Sequence, residues 1–311
     1  MAGTEDGKRL TEQQRLAQIA IRAQFLSEFL PMYRLLNWAQ LDETTPGWLA
    51  AVMSLVRTYR QESADVAESY YDRYRKVELV GSSTPPPVEF VHTPDVTGQR
   101  EPDVNPHPVI DLSERRQRTR VRLPQDRDTS DWVKPKIDWS QFDDSALKAL
   151  RGAGPNYLKQ QSGRGETEER AARKGLTVVS GTASRLVLDG GRETILELIK
   201  TDPVINRYIR VTDGDPCSFC AMLAGRGPVY LTEESAGFQP HDHCACTAEP
   251  VANSRGAWPG DAAYYRRLWR DNIEGRYSGQ NAINAWRRLY EGLQREARKL
   301  DVSASIQGQL A

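Results

Sequence analysis

Val211–Pro250 reads VTDGDPCSFCAMLAGRGPVYLTEESAGFQPHDHCACTAEP, and it holds all four cysteines of the 311-residue chain and two of its four histidines. Cys217 and Cys220 form C-x2-C, and His241, His243, Cys244 and Cys246 form H-x-H-C-x-C, with 23 residues between Cys220 and Cys244. Two short clusters of soft donors separated by a loop can converge on one ion, because each cluster turns tightly enough to offer two ligands. Gly214, Asp215 and Pro216 set a turn before the first cluster. Four-coordinate zinc needs only two ligands from the second cluster, so His241, Cys244 and Cys246 offer more than a closed site uses, and His243 is a spare donor. The i,i+3 spacing of His241 and Cys244 suits a tight turn and favours His241 as fourth ligand beside Cys217, Cys220 and Cys244. The competing set is four thiolates, with Cys246 in place of His241.

Three states of the cluster fit the spacing: a structural Zn2+ site, one or two disulfides, or free thiols. The sequence shows neither a signal-peptide pattern nor a transmembrane run, which weighs against disulfides. A catalytic metal would need an open position and an acid–base partner. Glu233 and Glu234 in the intervening loop are of that type, but solvent-facing glutamates are the plainer reading. A structural Zn2+ is therefore the expected cofactor.

The same residues resemble the C-terminal domain of the phage head morphogenesis proteins, the Mu F-like minor capsid proteins of tailed phages. The resemblance rests on Cys217-Ser218-Phe219-Cys220, on Leu223-Ala224-Gly225, and on the closing His241-Asp242-His243-Cys244-Ala245-Cys246, which follows the family's H-P-x-C-R-C. Asp242 stands where proline is common and Ala245 where arginine is common, so an anion-binding role of that arginine does not carry over. The form DPCSFCAMLAGRGPVY is similar to versions in phages of actinobacteria, and the resemblance covers roughly Trp139 to Pro250. It implies helices that precede a strand delivering the C-x2-C turn. It also implies a minor head protein near the portal in the procapsid or virion interior, reached through the host cytoplasm during assembly. Portal and capsid or scaffold proteins would be its partners, with packaged DNA as a non-specific one and no membrane.

A second class, a phage enzyme, is either a capsid maturation protease or a metal-dependent nuclease. Outside the cysteine cluster only His92 and His107 remain as histidine bases, and both lie in proline-rich sequence, a poor scaffold for a positioned base. G-x-S-x-G and H-E-x-x-H are absent. A nuclease would use His241 or His243 with the metal. The expectation is a protein that is not an enzyme.

Outward from the cluster, residues 139–255 form the expected head-morphogenesis domain. Asp143-Asp144-Ser145 reads as the cap of a short helix, residues 166–174 as a charged helix, Val178-Val179 and Leu186-Leu188 as β-branched clusters with a helix turn as the alternative for the second, residues 192–200 as an amphipathic helix, and residues 207–211 as a short strand. Residues 256–311 read as two terminal helices around a Tyr277-Ser278-Gly279 break and a tail, with basic residues outnumbering acidic ones nine to five between Asp261 and Leu300.

Residues 79–138 hold nine of the 18 prolines and read as an extended arm. Within it Arg115, Arg116, Arg118, Arg120 and Arg122 could attract DNA phosphates or an acidic partner. Lysine plus arginine equals aspartate plus glutamate at 42 each, so the chain as a whole does not advertise nucleic acid. Residues 1–78 read as a helical hairpin, which the resemblance implies is portal-proximal. Its first helix carries an apolar stripe at Leu16, Ile19, Ala23, Leu26 and Leu30 and ends or kinks at Pro31; the second opens at Thr45-Pro46 and runs to about Lys76. Adjacent Tyr70 and Tyr71 should not face one core together. The expected class is α+β: helical hairpin, proline-rich arm, α+β domain with a Cys/His cluster, terminal helices.

Overall fold

The computed structural model describes residues 2–79, 132–228, 238, 240–252 and 256–309, with side chains as far as 299. The chain is α+β, mostly helical with one small sheet and an N-terminal helical hairpin. Helix α1 spans Glu5–Met32, earlier than the Thr11 start of the apolar pattern. The Thr4 hydroxyl accepts the Gly7 N–H at 2.9 Å, and Glu5 and Asp6 sit at the positive end of the helix. Helix α2 spans Leu41–Leu79, so Pro46 lies inside it rather than at its opening.

The core-facing side of α1 differs from the stripe expected of it. Leu10, Ala17, Ile21, Phe25 and Phe29 are buried, whereas Leu16 and Leu30 remain 48% and 43% exposed and Ala23 is exposed too. Two apolar faces run along this helix, and periodicity alone does not say which one meets the core. The face that wins carries the aromatics: Phe25 stacks on Phe29 and meets Tyr59 of α2 edge-on.

After Trp132 the chain runs back along α2, with Trp132 against Tyr71 and Lys134 bridging Glu68 and Asp72. Helix α3 spans Phe142–Arg151 and has no side-chain cap. Asp143 pairs with Arg57 at 2.9 Å instead of capping. A π-helical turn at Gly152–Asn156 leads into α4, Tyr157–Gly163.

Helix α5, Glu168–Thr201, corrects the β reading of residues 178–179 and takes the helical alternative for residues 186–188: both lie in one 34-residue helix together with both predicted flanking helices. β-branching lowers helix propensity by only tenths of a kcal/mol per residue, which burial overrides. Val179, Ala183, Val187 and Ile195 are fully buried, because α5 is packed by α1, α2 and the cluster segment on different sides. Gly190 and Gly191 let α2 approach at Arg60 and Ser63. The same sandwiching corrects the tyrosine reading. Tyr70 and Tyr71 are both buried, Tyr70 meeting Thr11 of α1 at 2.9 Å and Tyr71 donating to Asp202 beyond α5 at 3.0 Å.

Strand β1, Tyr208–Val211, pairs antiparallel with β2, Thr247–Pro250, in the register Tyr208↔Pro250 to Val211↔Thr247. Helix α6, Ser218–Ala224, follows β1; α7, Ala262–Asn272, and α8, Gly279–Gln309, close the fold. The break expected at Tyr277–Gly279 falls between α7 and α8. The apolar faces of α6, α7 and α8 meet around Trp286, Tyr265 and Tyr290.

Candidate metal centre

The β1/β2 register determines the site. Val211 faces Thr247 at the end of the ladder, so the chain leaving β1 towards Cys217 and the chain entering β2 from Cys246 lie side by side. C-x2-C and H-x-H-C-x-C are thereby forced together by two strands of four residues each.

Cys217 caps α6, its sulfur accepting the Cys220 N–H at 3.4 Å. Trp286 of α8 donates from Nε1 to the Ser218 carbonyl at 2.6 Å, which fixes α6 from its outer side. The second cluster is clamped onto α5. Asp242 accepts from Thr182 at 2.9 Å and Arg185 at 3.0 Å. Arg192, itself 2% exposed, donates to the carbonyls of Cys244 at 2.6 Å and Cys246 at 2.9 Å while paired with Asp189 at 2.8 Å.

The donors form two overlapping trios, Cys217–Cys220–His241 and Cys220–Cys244–Cys246, each with its ligand atoms within 4.8 Å of one another. Cys217 Sγ meets His241 Nε2 at 2.5 Å and Cys220 Sγ lies 3.4 Å from Cys244 Sγ. All four cysteines are free thiols. Two ligands of a tetrahedral zinc, each at about 2.3 Å, stand roughly 3.8 Å apart; the Cys220–Cys244 separation is near that, whereas Cys217 and His241 stand closer and would have to part to share an ion. All five predicted ligand residues, Cys217, Cys220, His241, Cys244 and Cys246, converge. His243 does not join either trio. Its backbone is left-handed, φ 68°, and its ring lies over Gly181 of α5, where a Cβ would sit 2.5 Å from Nε2.

Electrostatics divide the four thiols: Cys217 and Cys244 are lowered, Cys220 and Cys246 raised. Contact with Cys220, then with His241, holds the Cys217 thiol down to about 4, and contact with Cys217 raises His241 to about 9. Cys244 is held well below the usual thiol range by Cys220 and Cys246, with the charges of Arg192 and Arg210 adding to the effect. Cys220, in contact with Cys217, Cys244 and Cys246, is pushed up and holds its proton. Arg210 of β1, 1% exposed, lies 3.8 Å from Cys220 Sγ, stacks on Phe238 and donates to its carbonyl.

Sequence reading missed Arg192, Arg210 and Asp213, since an arginine in a helix or strand and an aspartate in a turn carry no motif. Asp213 accepts the Ala245 N–H at 3.0 Å, and burial raises its pKa. Its buried Oδ1 has no hydrogen-bond partner among the described residues. It faces a pocket of about 350 Å³ over the cluster, walled also by Asp215, His241 and Arg298. Arg115, Arg116, Arg118, Arg120 and Arg122 lie outside the described residues, as do Glu233, Glu234, His92, His107 and most of the 79–138 arm. Among the described residues no helix is long and apolar enough to cross a membrane.

Fold and site define a mainly helical α+β protein whose small sheet closes a Cys/His cluster. Residues 135–272, which include the whole cluster, match the family described as VG15 protein. The chain is also similar to the Gene 15 protein of Mycobacterium phage D29, 26% identical over 178 residues, covering 42% of this chain and 64% of that protein. The chain thus spans just under two thirds of that relative's length. No solved structure gives a significant match. These similarities support a phage virion-related protein.

Proposed function

We propose that the chain is a minor capsid protein of head morphogenesis, acting beside the portal, in which the Cys/His cluster holds one structural Zn2+. The observation that carries this reading is the coincidence of the phage similarity over residues 135–272 with a cluster whose Cys220, Cys244 and Cys246 are buried at 1%, 3% and 2% exposure. Cys217, Cys220, Cys244 and His241 are the proposed ligands, with Cys246 as the alternative to His241. Bound there, zinc would tie β1, α6 and β2 together, and binding energy would become folding energy. Arg192 and Arg210 would offset the net negative charge of three or four thiolates beside one dication. Procapsid interior, portal and capsid or scaffold contacts belong to the same proposal, with Arg115 to Arg122 as its DNA-phosphate contact. In this reading the protein is not an enzyme.

Two measurements test it. Metal content of protein purified without chelator should be one zinc per chain, kept in Cys246→Ala and lost in His241→Ala; the reverse assigns the four-thiolate set, and metal-free protein with two disulfides ends the zinc proposal. Procapsids should contain the protein in fixed ratio to the portal subunit. Its absence from procapsids, or specific cleavage of capsid protein or DNA abolished by His241→Ala, would overturn the assembly role.

A further inference from the structure

We infer that α1 carries a self-association surface, through which two copies of this chain pair antiparallel about Ala23. Leu16, Ile19, Ala23, Leu26 and Leu30 follow one another at spacings of 3, 4, 3 and 4, the a/d repeat of a coiled-coil seam. This face is turned from the core: Ile21, buried at 4%, stands about 200° around the helix from Ile19 at about 100° per residue. Leu16 and Leu30 are 48% and 43% exposed, Ala23 is exposed, and Ile19 and Leu26 are half-buried at its edge. Among the described residues nothing covers Leu16, Ala23 and Leu30, while Ile19 and Leu26 rest partly on the helical core, and an apolar stripe of this kind marks a contact site.

The occupant follows from the stripe's own symmetry. Leu16 and Leu30 lie seven residues either side of Ala23, and Ile19 and Leu26 lie four and three residues from it. A second α1 running the opposite way sets Leu16 against Leu30 and Ile19 against Leu26, with the small Ala23 at the crossing, where the helices come closest. The same operation brings Glu12, eleven residues before Ala23, to Arg34, eleven after it. Both are exposed, although in the single chain Glu12 is held by Arg15 of its own helix at 2.5 and 2.8 Å and would share its carboxylate with the incoming Arg34; the two-fold axis repeats this pair at each end of the seam. From Leu16 to Leu30 the stripe is about 21 Å long at 1.5 Å per residue. One helix face of that length falls short of the roughly 800 Å² per partner of a standard stable interface, so the pairing is reversible and concentration-dependent. In an assembly that gathers many copies, local concentration would favour it.

Sedimentation of the full chain over a concentration series tests this. Mass should rise from 35.1 kDa towards twice that value, and the double variant Leu16→Gln/Leu30→Gln should stay at 35.1 kDa with an unchanged far-UV spectrum, because both side chains are exposed. Glu12→Arg should weaken association, and adding Arg34→Glu should restore it. Direction is read by mixing Leu16→Cys and Leu30→Cys chains under mild oxidation: a cross-linked dimer forms in the mixture and exceeds that of either variant alone. A chain that remains monomeric throughout, association unaffected by Leu16→Gln/Leu30→Gln, or Leu16→Cys chains cross-linking best with themselves would each overturn the inference.

Discussion

Arg192→Met is the most informative single change, because Arg192 joins the long core helix to the cluster without donating to a metal. Its guanidinium makes bonds of 2.6, 2.8 and 2.9 Å to the Cys244 carbonyl, the Asp189 carboxylate and the Cys246 carbonyl. Methionine keeps the length and apolar stem but deletes every donor. Asp189, 9% exposed, is then left with only Arg185 at 3.5 Å, and two carbonyls lose their partner. Removing one member of a buried ion pair costs about 3–5 kcal/mol, and each unsatisfied buried carbonyl about 1–3 kcal/mol. The terms overlap, since water from the adjoining pocket reaches part of the gap, so about 3–5 kcal/mol in total is the expected loss.

That is a large share of a typical domain's roughly 5–15 kcal/mol. The assay is urea unfolding followed by far-UV circular dichroism, with Arg185→Met as the control. Arg185 lies on the same helix and reaches Asp242 and Asp189, but its side chain is 27% exposed, and such pairs contribute about 1 kcal/mol or less. Metal affinity, measured by competition with a chelator, should also fall about 10–100-fold in Arg192→Met, as for other groups that orient ligands. If Arg192→Met is no less stable than Arg185→Met, the guanidinium is not what seats the Cys244–Cys246 segment.

Glu249, fully buried on β2 and accepting the Ala2 N–H at 2.9 Å, is pushed up to about 7 by burial. The folded chain therefore keeps that proton after the unfolded chain has released it, so Glu249's contribution to stability falls as pH rises from about 4.5 to about 7. Glu249→Gln should flatten that part of a stability-versus-pH curve, and an unchanged slope would refute it. Gly154→Ala should destabilise by about 1–3 kcal/mol through overpacking, because its Cβ would sit 2.8 Å from the ring of Trp48, itself 1% exposed. Gly152→Ala in the same turn meets nothing within 4 Å, so thermal unfolding should show it neutral or slightly stabilised.

The helical hairpin was legible because both helices carry long apolar repeats and a proline near the turn. Its orientation was not. Apolar side chains at Leu16, Ile19, Ala23, Leu26 and Leu30 and at Leu10, Ala17, Ile21, Phe25 and Phe29 give two stripes of comparable hydrophobicity, and only the partners in α2 and α5 choose between them. The 34-residue α5 was broken into pieces for a related reason. Its apolar, small and β-branched residues surround the helix instead of forming one stripe, so the pattern carries no period to read. A helix packed on several sides loses the amphipathic signature by which helices are recognised.

For the cluster, residue type and spacing were enough to name the side chains that come together, since thiol and imidazole chemistry is written in the side chains themselves. What spacing could not supply was the division of labour within the second cluster. His241 and His243 differ by two positions, yet one meets Cys217 and the other lies over Gly181. The difference arises from Asp242, which Thr182 and Arg185 hold against α5, and from the left-handed turn at His243 that follows. Asp242 makes two bonds here that an apolar residue could not make. Asp242 is therefore the residue that aims His241 at the cysteines. Replacing Asp242 with asparagine should keep the turn but weaken the Arg185 bond, whereas alanine should free the turn and lower metal affinity more.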